Sequence, residues 1–159
     1  MNQQLALPTP KQLAVRTGID SLEFSMKKEI AAGNIKQTID DCAVNPDQAD
    51  HYFGDKIYAR GLWIPAGTVV VSKLHSQARV CIIAAGKCTF VDEWQKETVK
   101  APYVGEFKRG SKTAVYAHTD TYWIACLGTE LTDPSEIIEE LVFPDHEDYQ
   151  MYLEKLEEK

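Results

Sequence analysis

Between Ile57 and Leu127 the chain is cut into short apolar segments separated by Gly and Pro turn signals, and this pattern constrains the fold more than any other feature. From Ile64 to His75 a Pro-Ala-Gly-Thr turn leads into Val69, Val70 and Val71 and ends on a histidine. β-Branched residues after a turn glycine predict a strand. Further apolar segments run from Val80 to Gly86, from Cys88 to Val91, from Thr113 to His118 and from Thr121 to Cys126, with Ala101-Pro102 and Arg109-Gly110 as punctuation. Many short strands with a turn signal about every ten residues predict an all-β sandwich or barrel.

The order of Tyr58-Ala59-Arg60, Gly67-Thr68, Lys73-Leu74-His75, Ala101-Pro102, Gly110-Ser111-Lys112 and Tyr116-Ala117-His118-Thr119-Asp120, followed by Thr132-Asp133, resembles the cupin superfamily. More narrowly it resembles small cupin-like proteins of bacteriophage genomes, over roughly residues 51–148. The resemblance implies a mainly β fold: a jelly-roll barrel with an N-terminal helical arm and C-terminal helices. One such frame hosts many unrelated activities, so function must come from the site.

A single structural domain of 159 residues is long enough to bury a core without staples. We divide it into an N-terminal tail and arm (1–50), a β core (51–130) and an acidic helical appendage (131–159). No apolar run reaches the length of a membrane span, and Met1-Asn2-Gln3-Gln4 lacks the basic and apolar regions of a signal peptide, so a cytoplasmic protein is expected, in the host cytoplasm if phage-encoded. Cys42, Cys81, Cys88 and Cys126 show no C-x-x-C spacing and are expected to be reduced and buried. The net charge of −7 comes from the tail: from Glu130 onward there are eleven acids against two lysines, whereas the first 129 residues carry 15 basic and 13 acidic side chains. A polybasic nucleic-acid surface is therefore not expected, although a local cationic pocket is compatible with the sequence.

Outside the β core, Asp20 or Ser21 is expected to cap a helix bearing Leu22, Met26 and Ile30, ended by Gly33-Asn34. A weaker helix is read over 35–42, and the first ten residues as a loose tail because Pro8 and Pro10 oppose a helix. Asp133-Pro134-Ser135-Glu136 combines an N-cap, a proline at N1 and a capping-box acid, predicting a helix from Pro134 to about Val142. Pro144 breaks it, and a last helix from about His146 places Tyr149, Leu153 and Leu156 on one face.

Strand alternation puts Val69, Val71, Lys73 and His75 on one face. In the cupins this chain resembles, the histidine at this position faces the barrel mouth, which implies that His75 lies inside with Lys73 beside it. A metal cupin needs further histidines and a carboxylate converging on one ion. Here Ala78 and Arg79 stand where related phage proteins carry Glu and His, and Leu127 stands where a later His would fall. His118 is the one other candidate imidazole, so no metal, cofactor or catalytic residue is assigned. Lys73 and Arg79, with Arg60 and Lys112, would instead surround His75 with positive charge suited to an anionic small molecule. Tyr58, Tyr116 and Trp123 could offer stacking faces. The ligand-binding set is thus Lys73, His75, Arg79, Arg60, Tyr58, Lys112, Tyr116, His118 and Trp123.

Other residues read as structural: Trp63 as core or subunit interface, Trp94 as exposed or at an interface, His51 as a hydrogen-bonding residue where the β core begins, His146 as solvated, and Glu106 as an acid within reach of the mouth. Three functions fit: a small-molecule-binding or sequestering protein, a cupin-type enzyme such as a metal enzyme, isomerase or epimerase, and a virion or interaction component. The first is preferred. The flanking helices carry apolar faces that also lead us to expect a homodimer or higher homo-oligomer.

Overall fold

The structure, a computed structural model, describes residues 7–37 and 48–158. The first helix, α1 (Pro10–Ala31), starts eleven or twelve residues earlier than a cap at Asp20 or Ser21 predicts. Thr9 caps it: Gln12 N donates to Thr9 Oγ1 at 3.3 Å, and Thr9 N donates to Gln12 Oε1 at 2.8 Å. Pro10 sits at N1, where its missing N–H costs nothing, so the proline read as a helix breaker is the helix start. Gly33, at φ +76°, follows the helix end as expected. Residues 35–37 are not helical, and the remainder of the weaker helix read over 35–42 lies outside the described residues, as does Cys42.

The β core is two antiparallel sheets packed face to face, the jelly-roll arrangement implied by the sequence resemblance. Its strands are β1 (Asp50–Gly54), β2 (Ile57–Ile64), β3 (Val69–Val71), β4 (Leu74–His75), β5 (Arg79–Ala85), β6 (Lys87–Val91), β7 (Lys96–Lys100), β8 (Tyr103–Phe107), β9 (Ala114–Ala117) and β10 (Thr121–Gly128). One sheet runs β1-β2-β10-β5-β8 and the other β3-β9-β6-β7. Ile64, Cys81, Ile83 and Ala125 from the first meet Cys88, Phe90, Val115 and Ala117 from the second, and Phe90 packs against Phe107 and, edge-on, against Trp123. The free thiols of Cys81 and Cys88 are buried, and that of Cys126 is half-buried.

The first sheet leaves an apolar outer face. Alternation turns Tyr52, Ile57, Trp63, Val80 and Val104 outward, all more than 40% exposed. Trp63 stacks on Tyr122 at 4.7 Å, whose hydroxyl donates to Asp50.

The C-terminal elements follow the sequence reading. Asp133 caps α2 (Pro134–Leu141) through Ser135 N and Glu136 N, and Asp145 caps α3 (His146–Glu157) through Asp148 N. α2 seals one end of the barrel, where Ile137 and Leu141 pack with Tyr58 and Leu127. Between the helices, β11 (Val142–Phe143) pairs antiparallel with β4, Val142 opposite His75. Of the face predicted to carry Tyr149, Leu153 and Leu156, Tyr149 is buried while Leu156 remains half exposed.

Charge attaches the arm to the barrel. Arg16 Nε and Nη2 each lie 2.9 Å from a Glu93 carboxylate oxygen, and His146 Nε2 donates to the same carboxylate at 3.1 Å. His146 is therefore a structural partner and not the solvated residue the sequence suggests. One buried acid thus joins α1, the β6–β7 hairpin and α3. Burial alone would raise its pKa, but the hydrogen bonds from His146 and Arg16 outweigh burial and hold it below its ordinary 4.5. A depressed carboxylate stabilises the fold above its unfolded pKa, and that contribution is lost as pH falls through the folded value. Glu93→Gln should lower stability at pH 7 by about 1–3 kcal/mol, and its gap to the wild type should narrow below pH ~4.5. Parallel thermal melts from pH 7 to 3 check this; a gap constant with pH would contradict it.

Candidate functional site

A cavity of about 680 Å3 opens between the two sheets. Its walls are Leu62, Ile64 and Ala125 from one sheet, Val69, Val71 and Val115 from the other, Met26 and Ile30 of α1, and Ile138 and Val142 of the C-terminal segment. Its polar residues include Arg60, Lys73, His75 and Arg79.

The strand expected to run unbroken from Thr68 to His75 is interrupted at Ser72 and Lys73. Ser72 N donates to Thr113 O at 2.8 Å, but its hydroxyl accepts from Thr113 N and donates to Lys73 O, both at 2.9 Å. A side chain that replaces a ladder bond releases the next residues from the sheet. The chain leaves β9 there and pairs instead with β11, so His75 is placed by the C-terminal segment. His75 O accepts from Gly110 N at 2.7 Å, and Ser76 N donates to Leu141 O at 2.9 Å, fixing the backbone on both sides.

His75 is 3% exposed. Its Nδ1 lies 3.1 Å from Lys73 O, and a carbonyl can only accept, so Nδ1 carries the proton. Nε2 then presents a lone pair, and that buried nitrogen has no partner among the described residues. Burial, followed by the charges of Arg79 and Arg60, holds the imidazole pKa well below its ordinary 6.5. The ring is a neutral acceptor at neutral pH.

Arg79 departs from the position at the mouth that the sequence suggests. It is 5% exposed, packed inside the barrel, with Nη1 donating to Ser111 Oγ at 2.9 Å and Nη2 to Thr113 Oγ1 at 3.4 Å. The guanidinium sits 5.3 Å from the Phe107 ring centroid. Burial pulls its pKa below the ordinary value, but a guanidinium remains protonated. Neither Arg79 nor the half-buried Arg60 has an ion pair among the described residues. Arg60 points inward from β2, with Leu62 and Ile64 on the same face.

Four of the nine expected binding residues lie elsewhere. Tyr58 is 1% exposed, in the α2 cluster, its hydroxyl 2.7 Å from His51 Nδ1, which gives His51 its expected structural role. Lys112 is turned to α1, where it pairs with Asp20 at 2.8 Å and with Glu23. Tyr116 and His118 lie edge to face on the outside of the second sheet, His118 Nε2 2.7 Å from Thr89 Oγ1. Glu106 points outward as well. Trp123 does line the cavity, and Trp94 is 38% exposed, as expected. Sequence reading missed Ser111 and Thr113 as the hydroxyls that hold Arg79. It recognised the stripe of Met26 and Ile30 without showing that this stripe closes the cavity.

The donor set does not suit a metal ion. Among the described residues no three His, Cys, Asp or Glu side chains converge, and the residues beside His75 are two cations that would repel one.

No protein-family model and no curated protein matches the chain. Solved structures of similar shape include a cupin 2 domain-containing protein from Halorhodospira halophila (10% identity, 73% of this chain and 78% of that one, TM-score 0.49). Ectoine synthase from P. lautus matches at 14% identity over 61% of this chain and 74% of that one, TM-score 0.49. Acetylacetone dioxygenase from Acinetobacter johnsonii matches at 14% identity and TM-score 0.43 over 50% of this chain, which spans 58% of the dioxygenase. At these identities and scores they bear on neither the ligand nor the chemistry of this chain.

The assignment of His75 has a direct spectroscopic consequence. Long-range 1H–15N correlation spectra should show His75 neutral, with the proton on Nδ1, throughout pH 6–8. An Nε2–H tautomer, or titration within that interval, would refute it.

Proposed function

We propose that this chain is a cupin-like binding protein that holds a small anionic molecule in the barrel cavity. The observation that supports this reading is the buried guanidinium of Arg79, which lines the cavity beside a neutral imidazole and has no carboxylate within ion-pair distance among the described residues. An isolated buried cation is costly, and a ligand carboxylate or phosphate would supply its partner through parallel charge-assisted hydrogen bonds. Arg60 adds a second cation. A role in sequestering such a molecule during phage infection accords with the sequence resemblance to phage proteins. An enzymatic role has less support: among the described residues no acid is hydrogen-bonded to His75, whose Nδ1 is turned to a backbone carbonyl.

The prediction separates stability from binding. Arg79→Met keeps the length of the side chain and removes the buried charge, so the free protein should melt within a few degrees of the wild type. Ligand-induced thermal stabilisation should be largely lost, since one charge-assisted contact contributes roughly 1.5–3 kcal/mol, or about ten- to a hundredfold in affinity. Arg60→Gln should weaken binding in the same direction. A thermal-shift screen of carboxylates, phosphates and nucleotides measures both effects. If no anion stabilises the wild type, the binding reading fails and an interaction role replaces it.

We also infer that a second copy covers the outer face of the first sheet. Strand residues turned to that side carry charge at two edge positions, Asp50 on β1 and Glu106 on β8. The exposed side chains amount to roughly 600 Å2 per copy, about 1,200 Å2 in a pair, which reaches the lower end of specific interfaces. Light scattering at tens of micromolar should give a dimer mass, and Trp63→Lys with Val104→Lys should give a monomer. A monomeric wild type would overturn the inference.

A further inference from the structure

We infer that the anion taken by the cavity is a phosphate monoester in its doubly charged form, an inference that rests on the anion-binding reading and narrows it. Besides His75, the ionisable side chains lining the cavity are Glu23, Lys27, Lys36, Arg60, Lys73 and Arg79, five bases to one acid. Glu23 pairs with Lys27 at 3.0 Å and also with Lys112. The lining is thus cationic in a chain whose net charge is −7, and the acid among its described residues is already engaged.

Strand register brings two of these cations to one patch. On the inner face of the first sheet, Arg60 of β2 lies opposite Ala125 of β10. Ala125 in turn lies opposite Cys81 of β5, two residues beyond Arg79 on the same side of that strand. The α-carbons of the two arginines are therefore about 10 Å apart across the sheet and about 7 Å apart along it. Between them stands only the methyl group of Ala125, which lines the cavity and leaves the space above it to the two longer side chains. His75 is tied to the same patch through its backbone: Gly110, which donates to its carbonyl at 2.7 Å, precedes Ser111, which holds Arg79. After burial, Arg79 and Arg60 are what lower the imidazole's pKa, which accords with that placement.

Charge and donor count select the group. A carboxylate or a phosphodiester carries one negative charge and would leave one guanidinium uncompensated in a desolvated site. A phosphate monoester carries roughly two at neutral pH and presents three acceptor oxygens. Of the five N–H donors of Arg79, Ser111, Thr113 and Cys81 take three, which leaves two for a forked contact. Arg60, with no ion pair among the described residues, supplies the second fork. The cavity of about 680 Å3 is of a size that holds drug-sized ligands, so the phosphate belongs to an organic ester whose body fills the remainder.

Calorimetric titration of the full-length protein at pH 8 with four probes tests the inference. Hexyl phosphate and ribose 5-phosphate are dianions there and distinguish an apolar from a hydroxylated body, whereas hexyl methyl phosphate and heptanoate are monoanions. At least one monoester should bind about tenfold or more tighter than both monoanions. Arg60→Gln should abolish most of that advantage. A monoanion that binds the wild type as tightly as both monoesters overturns the dianion class, with no dependence on whether the variant folds, and leaves the anion-binding reading standing. A variant that melts like the wild type and keeps the full advantage overturns the pairing of the two guanidinium groups. If none of the four binds, the class fails as well, and the wider screen of anions decides the broader reading separately.

Discussion

A guanidinium enclosed in a small β barrel, with no carboxylate within ion-pair distance among the described residues, is the constraint to which the surrounding structure answers. Desolvation of such a group costs several kcal/mol even after relaxation, and the chain offsets part of this with two hydroxyls and the face of Phe107. The neighbouring imidazole stays neutral because it is buried, and because a second charge beside Arg79 would add to that cost. Lys112 provides the contrast within the same short segment. It too is buried, but Asp20 and Glu23 neutralise it, and the energy of that pairing docks the N-terminal arm. One buried cation is spent on architecture and the other is left with its charge available.

That division explains how the arm is positioned at the site. α1 is held at its polar points, Arg16 on Glu93 and Lys112 on two acids, while Met26 and Ile30 close one side of the cavity. Ion pairs set where the helix lies, and the apolar stripe follows from that placement.

The β pattern, the turn glycines and the Asp133 cap were legible because each depends on neighbours within a few residues. Thr9 and Pro10 carried an equally local signal, a capping box with proline at N1, but the prolines around it read more readily as breakers. His75 and Arg60 could be placed inside, since alternation and the fold resemblance agree. The strand break at Ser72 could not, because it depends on a hydrogen bond to Thr113, forty-one residues away. The same limit applies to Lys112, whose partners lie 92 and 89 residues distant. Tyr58 shows a further kind of loss. Its inward direction was readable, but whether that end of the barrel is open or sealed depends on where α2 packs.

The pairing of Val142 with His75 also bears on the order of assembly. The two residues are 67 positions apart, and contacts of such separation form only after the loop between them has been closed, so they belong to the slower part of folding. A nascent chain that has emerged only as far as β10 has the sheets' strands but lacks β11 beside His75. The backbone that places His75 is therefore completed late, and a polypeptide cut short before β11 would keep most of its barrel while losing the strand that aims the histidine.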